Sequence, residues 1–157
     1  MDYNIVRDYN KAVMKVKDIM TPVVVSVKES FSLKQVSSFL VQHSVSGLPV
    51  VDDGGKVIGV ITEGDLIRAI LPTYGEITDE EQLMHNIEKI EEKAMEASKL
   101  KVKDIMSAPA VTIGEEAPIL KAGALMLARQ IKRLPVTREG KLVGVVSRTN
   151  VIEELYK

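Results

Sequence analysis

The sequence predicts an α+β protein, layered as in α/β folds, made of two tandem β-α-β-β-α units joined by a helical linker. Three observations carry this. The hexapeptide KVKDIM occurs at Lys15–Met20 and again at Lys101–Met106. Laying Met20 over Met106 sets an offset of 86, at which VSVKESFSL (Val25–Leu33) falls on VTIGEEAPI (Val111–Ile119). Further on, SGLPVVDDGGKVIGVITEGDL (Ser46–Leu66) falls on KRLPVTREGKLVGVVSRTNV (Lys132–Val151), with one glycine of Gly54-Gly55 missing from the second copy. A repeat of roughly 55 residues buries only about 60% of its unfolded surface and is marginal alone. The two copies are therefore expected to share a core about a pseudo-two-fold axis.

The elements follow in order within each copy. Val23–Val27 (VVVSV) is a β-branched run and reads as a strand. In SLKQVSSFLVQHS, Leu33, Val36 and Leu40 mark one helical face, and Ser32 with Gln35 has capping-box spacing. The second copy places Pro118 where a first-turn proline is tolerated, with Ile119, Ala122 and Met126 as its stripe. Leu48–Val51 and Val57–Ile61 are apolar strands around the turn residues Asp52-Asp53-Gly54-Gly55. Leu134–Val136 and Leu142–Val146 repeat them around Glu139-Gly140, and a short helix begins near Thr62 and near Ser147. Between the copies, Thr78 and Glu81 have capping-box spacing, and Leu83, Ile87, Ile90 and Ala94 form a helical stripe with an acidic outer face. This segment reads as a connecting helix, or alternatively as a docking helix for a partner. The expected division is a lead-in at 1–15, a first unit at 16–71, a linker at 72–101 and a second unit at 102–157.

Composition narrows the function classes. Hydrophobic residues make up 45% of the 157 and charged residues 27%, enough for a packed core and against disorder. The net charge is −1, from 21 basic and 22 acidic residues, which argues against a nucleic-acid partner, since phosphate neutralisation needs a cationic excess. No apolar stretch approaches a membrane span, and the N-terminus lacks the apolar region of a secretory signal, so a soluble, cytoplasmic protein is expected. Cysteine is absent, which removes thiolate chemistry, and the two histidines, His43 and His85, fall in unrelated segments. A metal site is therefore not expected. His43 reads as a helix-end or surface residue, and Met14, Met20, Met84, Met95, Met106 and Met126 as core or interface filler.

The chemistry concentrates after each hairpin, in GVITEGD (Gly59–Asp65) and GVVSRTN (Gly144–Asn150). A strand that ends in Gly-x-x-Thr/Ser and opens a helix brings backbone N–H groups and a hydroxyl together, which suits an anion. Asp65, three residues beyond Thr62, can accept two hydrogen bonds at once, as the adjacent hydroxyls of a ribose would offer them. Thr-x-x-Asp is equally close to a capping box, in which Thr62 caps the helix and Asp65 bonds back. Both readings stand on spacing alone.

DIMTPxVVxV, then SGLPVVD, then GVITEGDL, repeated in tandem, resembles the cystathionine-β-synthase (CBS) domain pair, or Bateman module. The resemblance covers roughly Val16–Leu71 and Val102–Leu155, with all three motifs in order in both copies. It implies two clefts between paired CBS units that bind adenosine compounds such as AMP, ADP or ATP, or else S-adenosylmethionine or NAD-type ligands. It also implies a flat homodimer and a regulatory rather than a catalytic role. Carried over residue by residue, it assigns ribose and phosphate to Asp65 and Thr62, and to Asn150 and Ser147. Adenine is flanked by Thr21, Pro22, Val23 and Val25, and by Ser107, Ala110 and Val111. Leu48, Pro49 and Ile61, with Leu134, Pro135 and Val146, line the cleft. Arg133, just before Leu-Pro-Val, stands where a basic residue meets phosphate.

The copies differ where the ligand would lie. Gly47 and Ser46 stand opposite Arg133 and Lys132, and the second copy adds Arg148 at its helix start. Asp65 is a full carboxylate, whereas Asn150 offers one acceptor and an amide donor. A charge-assisted hydrogen bond contributes about 1.5–3 kcal/mol against about 1 for a neutral one, so the Asp65 site is expected to be the tighter. One ligand per chain is expected, with phosphates reaching toward Lys132, Arg133 and Arg148, although the run Arg129, Lys132, Arg133 also reads as a solvated face. An enzyme is not expected, because no nucleophile–base pair, metal cluster or Walker-type loop is present. The remaining alternative is a ligand-free interaction module. No cofactor is required on either reading; an adenine nucleotide is the expected ligand, and a separate regulated protein a possible partner.

Overall fold

The computed structural model describes residues 13–22, 25–71 and 80–157. Its elements are α1 (Val16–Ile19), α2 (Leu33–His43), β1 (Gly47–Val51), β2 (Val57–Thr62), α3 (Glu63–Arg68), α4 (Glu80–Ala97), α5 (Val102–Ile105), β3 (Ile113–Gly114), α6 (Ile119–Ala128), β4 (Arg133–Arg138), β5 (Lys141–Ser147) and α7 (Arg148–Leu155). The mixed helix and sheet content is the α+β class expected from the repeat. No helix among the described residues is long and apolar enough to cross a membrane.

The chain forms two compact units, and neither coincides with one sequence repeat. One, here the N-core unit, comprises Val25–Asp52 and Ile58–Pro109; the C-core unit comprises Asp53–Val57, Ala110–Lys157 and the described part of Met1–Val24. The N-core unit packs Val27, Leu33, Val36, Leu40, Leu48, Val50, Ile61, Ala97 and Val102 together. The C-core unit packs Val16, Ile113, Ala122, Met126, Leu134, Val136, Val146 and Val151. The helical stripes expected in α2 and α6 are thus the faces that are buried. Fully burying one such aliphatic side chain stabilises by about 1.5–3 kcal/mol.

Val16 and Val102 sit in the opposite cores from those their positions suggest. KVKDIM reads from sequence as the segment that docks the start of its own unit; instead each copy docks on the other repeat. In the C-core unit, Val16 N–H donates to Ala117 O (2.8 Å) and Lys17 N–H to Glu115 O (3.0 Å). In the N-core unit, Val102 N–H donates to Phe31 O (2.8 Å) and Lys103 N–H to Glu29 O (3.0 Å). The same exchange continues at the residue just before each hexapeptide, where Ile119 N–H reaches Met14 O (2.8 Å) and Leu33 N–H reaches Leu100 O (3.0 Å). KVKDIM also reads from sequence as placing its lysines and aspartates on the surface as ordinary polar residues, whereas its aspartates have a structural role. Asp18 and Asp104 accept from the backbone N–H of Lys15 and Lys101, each at 2.9 Å, and so close the first turn of α1 and α5.

The first strand of each repeat is shorter than the β-branched run suggests. Val27 pairs with Val50 in a single parallel bridge, with Val27 N–H on Pro49 O (3.0 Å) and Val51 N–H on Val27 O (2.9 Å). The next bond toward the N-terminus would need an N–H from Pro49, which has none, so the ladder stops and Val25 and Ser26 are not strand. Pro135 imposes the same stop in the second repeat, where β3 pairs with β4 through Ile113↔Val136 and Gly114↔Thr137 only. Val23 and Val24 lie outside the described residues.

The hairpins form as their turns require. Glu139 (φ 51°) and Gly140 (φ 78°) both occupy the left-handed region that a two-residue loop needs, and Gly55 (φ 81°) does so in the longer first turn. β4 and β5 pair antiparallel from Arg133↔Ser147 to Arg138↔Lys141, with a bulge at Val136/Thr137. The first turn, Asp53–Val57, belongs to the C-core unit, where Val57 N–H meets Gly140 O (3.2 Å) and Leu142 N–H meets Gly55 O (3.1 Å).

Two details depart from expectation. Pro118 is the residue before α6, with φ −62° and ψ 144°, rather than part of its first turn; Ser32 holds the same place before α2 and caps it through Gln35. In α4, burial grows toward the C-terminal end, from half-buried Ile90 and Ala94 to buried Ala97, while Ile87 is 41% exposed. The helix therefore docks by its last turns. The Thr78–Glu81 box, Leu83, Met84 and His85 lie outside the residues whose side chains are described. His43 is the exposed last residue of α2, its ring 5.7 Å from that of Phe39.

Candidate functional site

Each hairpin ends in a strand whose last residue caps the next helix. Thr62 has extended backbone (φ −125°, ψ 164°) and precedes α3; Ser147 (φ −111°, ψ 164°) precedes α7. Asp65 Oδ2 accepts from Thr62 N–H (2.8 Å) and from Thr62 Oγ1 (2.9 Å), while Asp65 N–H donates to Thr62 Oγ1 (3.3 Å). Asn150 Oδ1 repeats this with Ser147 N–H (2.9 Å) and Ser147 Oγ (2.8 Å), and Asn150 N–H donates to Ser147 Oγ (3.1 Å). Both motifs are complete capping boxes. The second carboxylate oxygen, Asp65 Oδ1, accepts from Arg68 Nη2 at 2.5 Å.

The segments that follow KVKDIM run beside these motifs in an exchanged arrangement. In the N-core unit, Ser107 bridges Val60 with a pair of backbone hydrogen bonds, each 3.0 Å. In the C-core unit, Thr21 bridges Val145 at 2.9 and 3.1 Å. Ser107 thus belongs with Thr62 and Asp65, and Thr21 and Pro22 belong with Ser147 and Asn150. The sequence reading names both sets of residues without saying which goes with which.

Two glycines make the close approach possible. A Cβ on Gly59 would lie 2.8 Å from Met106 Sδ and 2.9 Å from Ser107 O; on Gly144 it would lie 2.5 Å from Met20 Sδ and 2.9 Å from Thr21 O. The first residue of Gly-x-x-Thr/Ser is therefore glycine so that the other repeat's methionine and post-KVKDIM backbone can lie against it. Met20 and Met106 are fitted to that surface, a role more specific than filler. The signal was present in the sequence as a glycine and a methionine conserved between the two copies.

The remaining candidates divide by side-chain direction. Leu48, Ile61, Leu134 and Val146 are fully buried core residues, and Pro49 and Pro135 are buried beside them. These can offer a ligand their backbone but not their side chains. Thr21, Pro22 and Ser107 are exposed, and Val25, Ala110 and Val111 are half-buried. Val23 lies outside the described residues. Among the basic candidates, Arg148 turns inward: its Nε donates to Ile131 O (3.0 Å) and its Nη2 to Met126 O (3.2 Å), tying α7 to the end of α6. Lys132 and Arg133 are exposed at the start of β4, and Lys132 O accepts from Arg148 N–H at 3.0 Å. All three belong to the C-core unit, with Ser147 and Asn150.

A separate charge cluster lies in the C-core unit. Glu116 receives Lys17 Nζ at 2.6 Å and also Lys15 Nζ, and these lysines, Lys15 first, hold its carboxyl down to about 2. Beside it, Arg138 pairs with Glu115 through both nitrogens of the guanidinium edge (Nη2 to Oε2, 2.9 Å), which lowers the Glu115 carboxyl below its ordinary range. Ser30 stands at the position equivalent to Glu116 in the first repeat, so this bridge has no counterpart there.

Known proteins account for this arrangement. Residues 16–72 and 102–157 each match the CBS domain family. An uncharacterized protein of Methanocaldococcus jannaschii is 33% identical across 93% of this chain and 94% of its own length. A CBS domain-containing protein of Dictyostelium discoideum is 32% identical across 90% of this chain and 91% of its own. Among solved structures, that of CBSX2 in complex with AMP superposes with a TM-score of 0.69 at 30% identity, covering 90% of this chain and 96% of that one. The CBS domain of a membrane protein from Sphaerobacter thermophilus superposes with a TM-score of 0.75 at 27% identity, covering 96% and 93%. With both matched spans in tandem along one chain, the chain belongs to the CBS domain family.

Proposed function

We propose that the chain is a non-catalytic regulatory module that binds an adenosine ligand, an adenine nucleotide (AMP, ADP or ATP) before S-adenosylmethionine or an NAD-type compound. The observation that carries this is the AMP complex of CBSX2, a protein 30% identical over 90% of this chain. The local chemistry supports it. Asp65 and Thr62, with exposed Ser107 alongside, form the first site, and Asn150 and Ser147, with Thr21 and Pro22, the second. Asp65 takes the ribose diol with more strength than Asn150, because its carboxylate is charged. Lys132 and Arg133 supply cations to the second site, while Arg148 serves the fold.

A ligand can shift the packing of such a module only through different affinity for its states, and a separate partner or a second copy of the chain reads the shift. We assign the module to the cytoplasm and to a homodimer. The second reading, a ligand-free interaction module, draws on the completed capping boxes, in which every motif oxygen already has a partner.

Thermal denaturation with AMP, ADP, ATP, S-adenosylmethionine and NADH separates the two. A ligand present at 100 times its Kd stabilises by about 2.7 kcal/mol, several degrees in midpoint for a chain of this size. A shift with an adenine nucleotide supports sensing; no shift with any of the five refutes it and leaves the interaction module.

A further inference from the structure

The two repeats place charge differently around their ribose candidates. Positions that hold Lys132 and Arg133 in the second repeat hold Ser46 and Gly47 in the first. The first repeat instead carries Arg68 three residues after Asp65, where the second carries Glu153 after Asn150. Arg68 Nη2 lies 2.5 Å from Asp65 Oδ1, with the Arg68 side chain 72% exposed and that of Asp65 10% exposed. Gly64 opens the space for this: a Cβ there would meet Arg68 Nη1 at 3.2 Å, so the guanidinium lies across the first turn of α3. The equivalent of Gly64 in the second repeat is Thr149.

We propose that Arg68 is the charge-selecting residue of the first site, a counterion to Asp65 that turns to the phosphate when a nucleoside monophosphate binds. This rests on the adenosine-ligand reading above and deepens it. A diol approaching Asp65 competes with Arg68 for Oδ1, and a phosphate on the same ligand gives the displaced guanidinium a new anionic partner. A bare nucleoside breaks the ion pair and offers nothing in return. The first site is thereby tuned to ligands that carry both a cis-diol and a nearby phosphate. A purely structural Arg68, in an exposed i,i+3 pair, would not distinguish the two ligands.

Calorimetric titration of the full chain with AMP and with adenosine reads this directly. For Arg68→Ala, AMP affinity should fall about tenfold, from loss of a charged hydrogen bond, while adenosine affinity holds or rises because Asp65 Oδ1 is released. Arg68→Gln, which keeps the length of the side chain without its charge, should behave alike; circular dichroism confirms that both fold. Glu153→Ala, at the matching position of the second repeat, should leave the AMP-to-adenosine ratio within about twofold, as expected for a screened surface charge. An unchanged ratio in Arg68→Ala and Arg68→Gln, or an equal drop in Glu153→Ala, overturns the inference alone. Failure of the unmodified chain to bind either ligand overturns the inference, while the wider adenosine reading then stands or falls on ADP, ATP, S-adenosylmethionine and NADH.

Discussion

Gly144→Ala tests the exchanged docking of the lead-in segments through a single methyl group. The added Cβ would lie 2.5 Å from Met20 Sδ, 3.1 Å from Met20 Cγ and 2.9 Å from Thr21 O. The thioether can move, but the carbonyl cannot move cheaply, because Thr21 and Val145 are held by two backbone hydrogen bonds of 2.9 and 3.1 Å. Overpacking of this kind costs about 1–3 kcal/mol, and each backbone bond that opens adds about 1. We expect a loss of about 2–4 kcal/mol, read as a lower urea midpoint. Gly123→Ala is the matched control. Its Cβ would meet Val151 Cγ1 at 3.4 Å, an ordinary contact, and alanine should stabilise helix α6 by about 0.5–1 kcal/mol. Adding Met20→Ala to Gly144→Ala should restore only part of the loss, since Thr21 O remains in the way. A Gly144→Ala protein as stable as the parent would mean that Met20 and Thr21 do not lie on β5, and the exchange would be wrong.

Val102→Ala should cost about 2 kcal/mol by removing two methyl groups from the N-core. Hydrogen exchange locates the effect: amides of α2, such as Val36 and Leu40, should lose protection, whereas those of α6 should keep theirs; the reverse pattern would place Val102 in the other core. Glu116→Gln removes the Lys15–Glu116–Lys17 bridge. Because Glu116 is held down to about 2 in the fold, its contribution is complete above its ordinary value of 4.5 and fades as pH falls through about 2. The difference in urea midpoint between parent and Glu116→Gln should therefore shrink from neutral pH to pH 2 and be reduced by salt. A difference undiminished at pH 2 would show that the bridge is not its source.

The hairpins, the stripes of α2 and α6 and the caps at Ser32, Thr62 and Ser147 were legible in the sequence because each is local. Alternation, turn residues and capping spacing are set within a few positions along the chain. The docking of KVKDIM was not legible, since Val16 and Val102 would be apolar anchors on either repeat and nothing in the hexapeptide says which. Only the fold pairs Met20 with Gly144 and Met106 with Gly59. The run VVVSV promised more strand than forms, because the limit lies in the partner: Pro49 lacks the N–H that would extend the ladder. At the site, the chemistry of Thr62 and Asp65 could be read, but the spacing serves a cap and a ribose equally well. The i,i+3 spacing of Asp65 and Arg68 is visible in the sequence, but only the fold shows Arg68 Nη2 on Asp65 Oδ1, and only the fold gives Arg148 its bonds to Ile131 O and Met126 O.

On the proposed function, Asp65 holds the ribose of an adenosine ligand. Calorimetric titration of AMP into the parent chain and into Asp65→Ala tests it most directly, with circular dichroism to confirm that α3 survives loss of its capping partner. Saturable binding by the parent is expected, with affinity reduced about tenfold or more in Asp65→Ala, the loss of at least one charged hydrogen bond. Equal affinity in a folded Asp65→Ala protein would place the ribose elsewhere and remove Asp65 from the site.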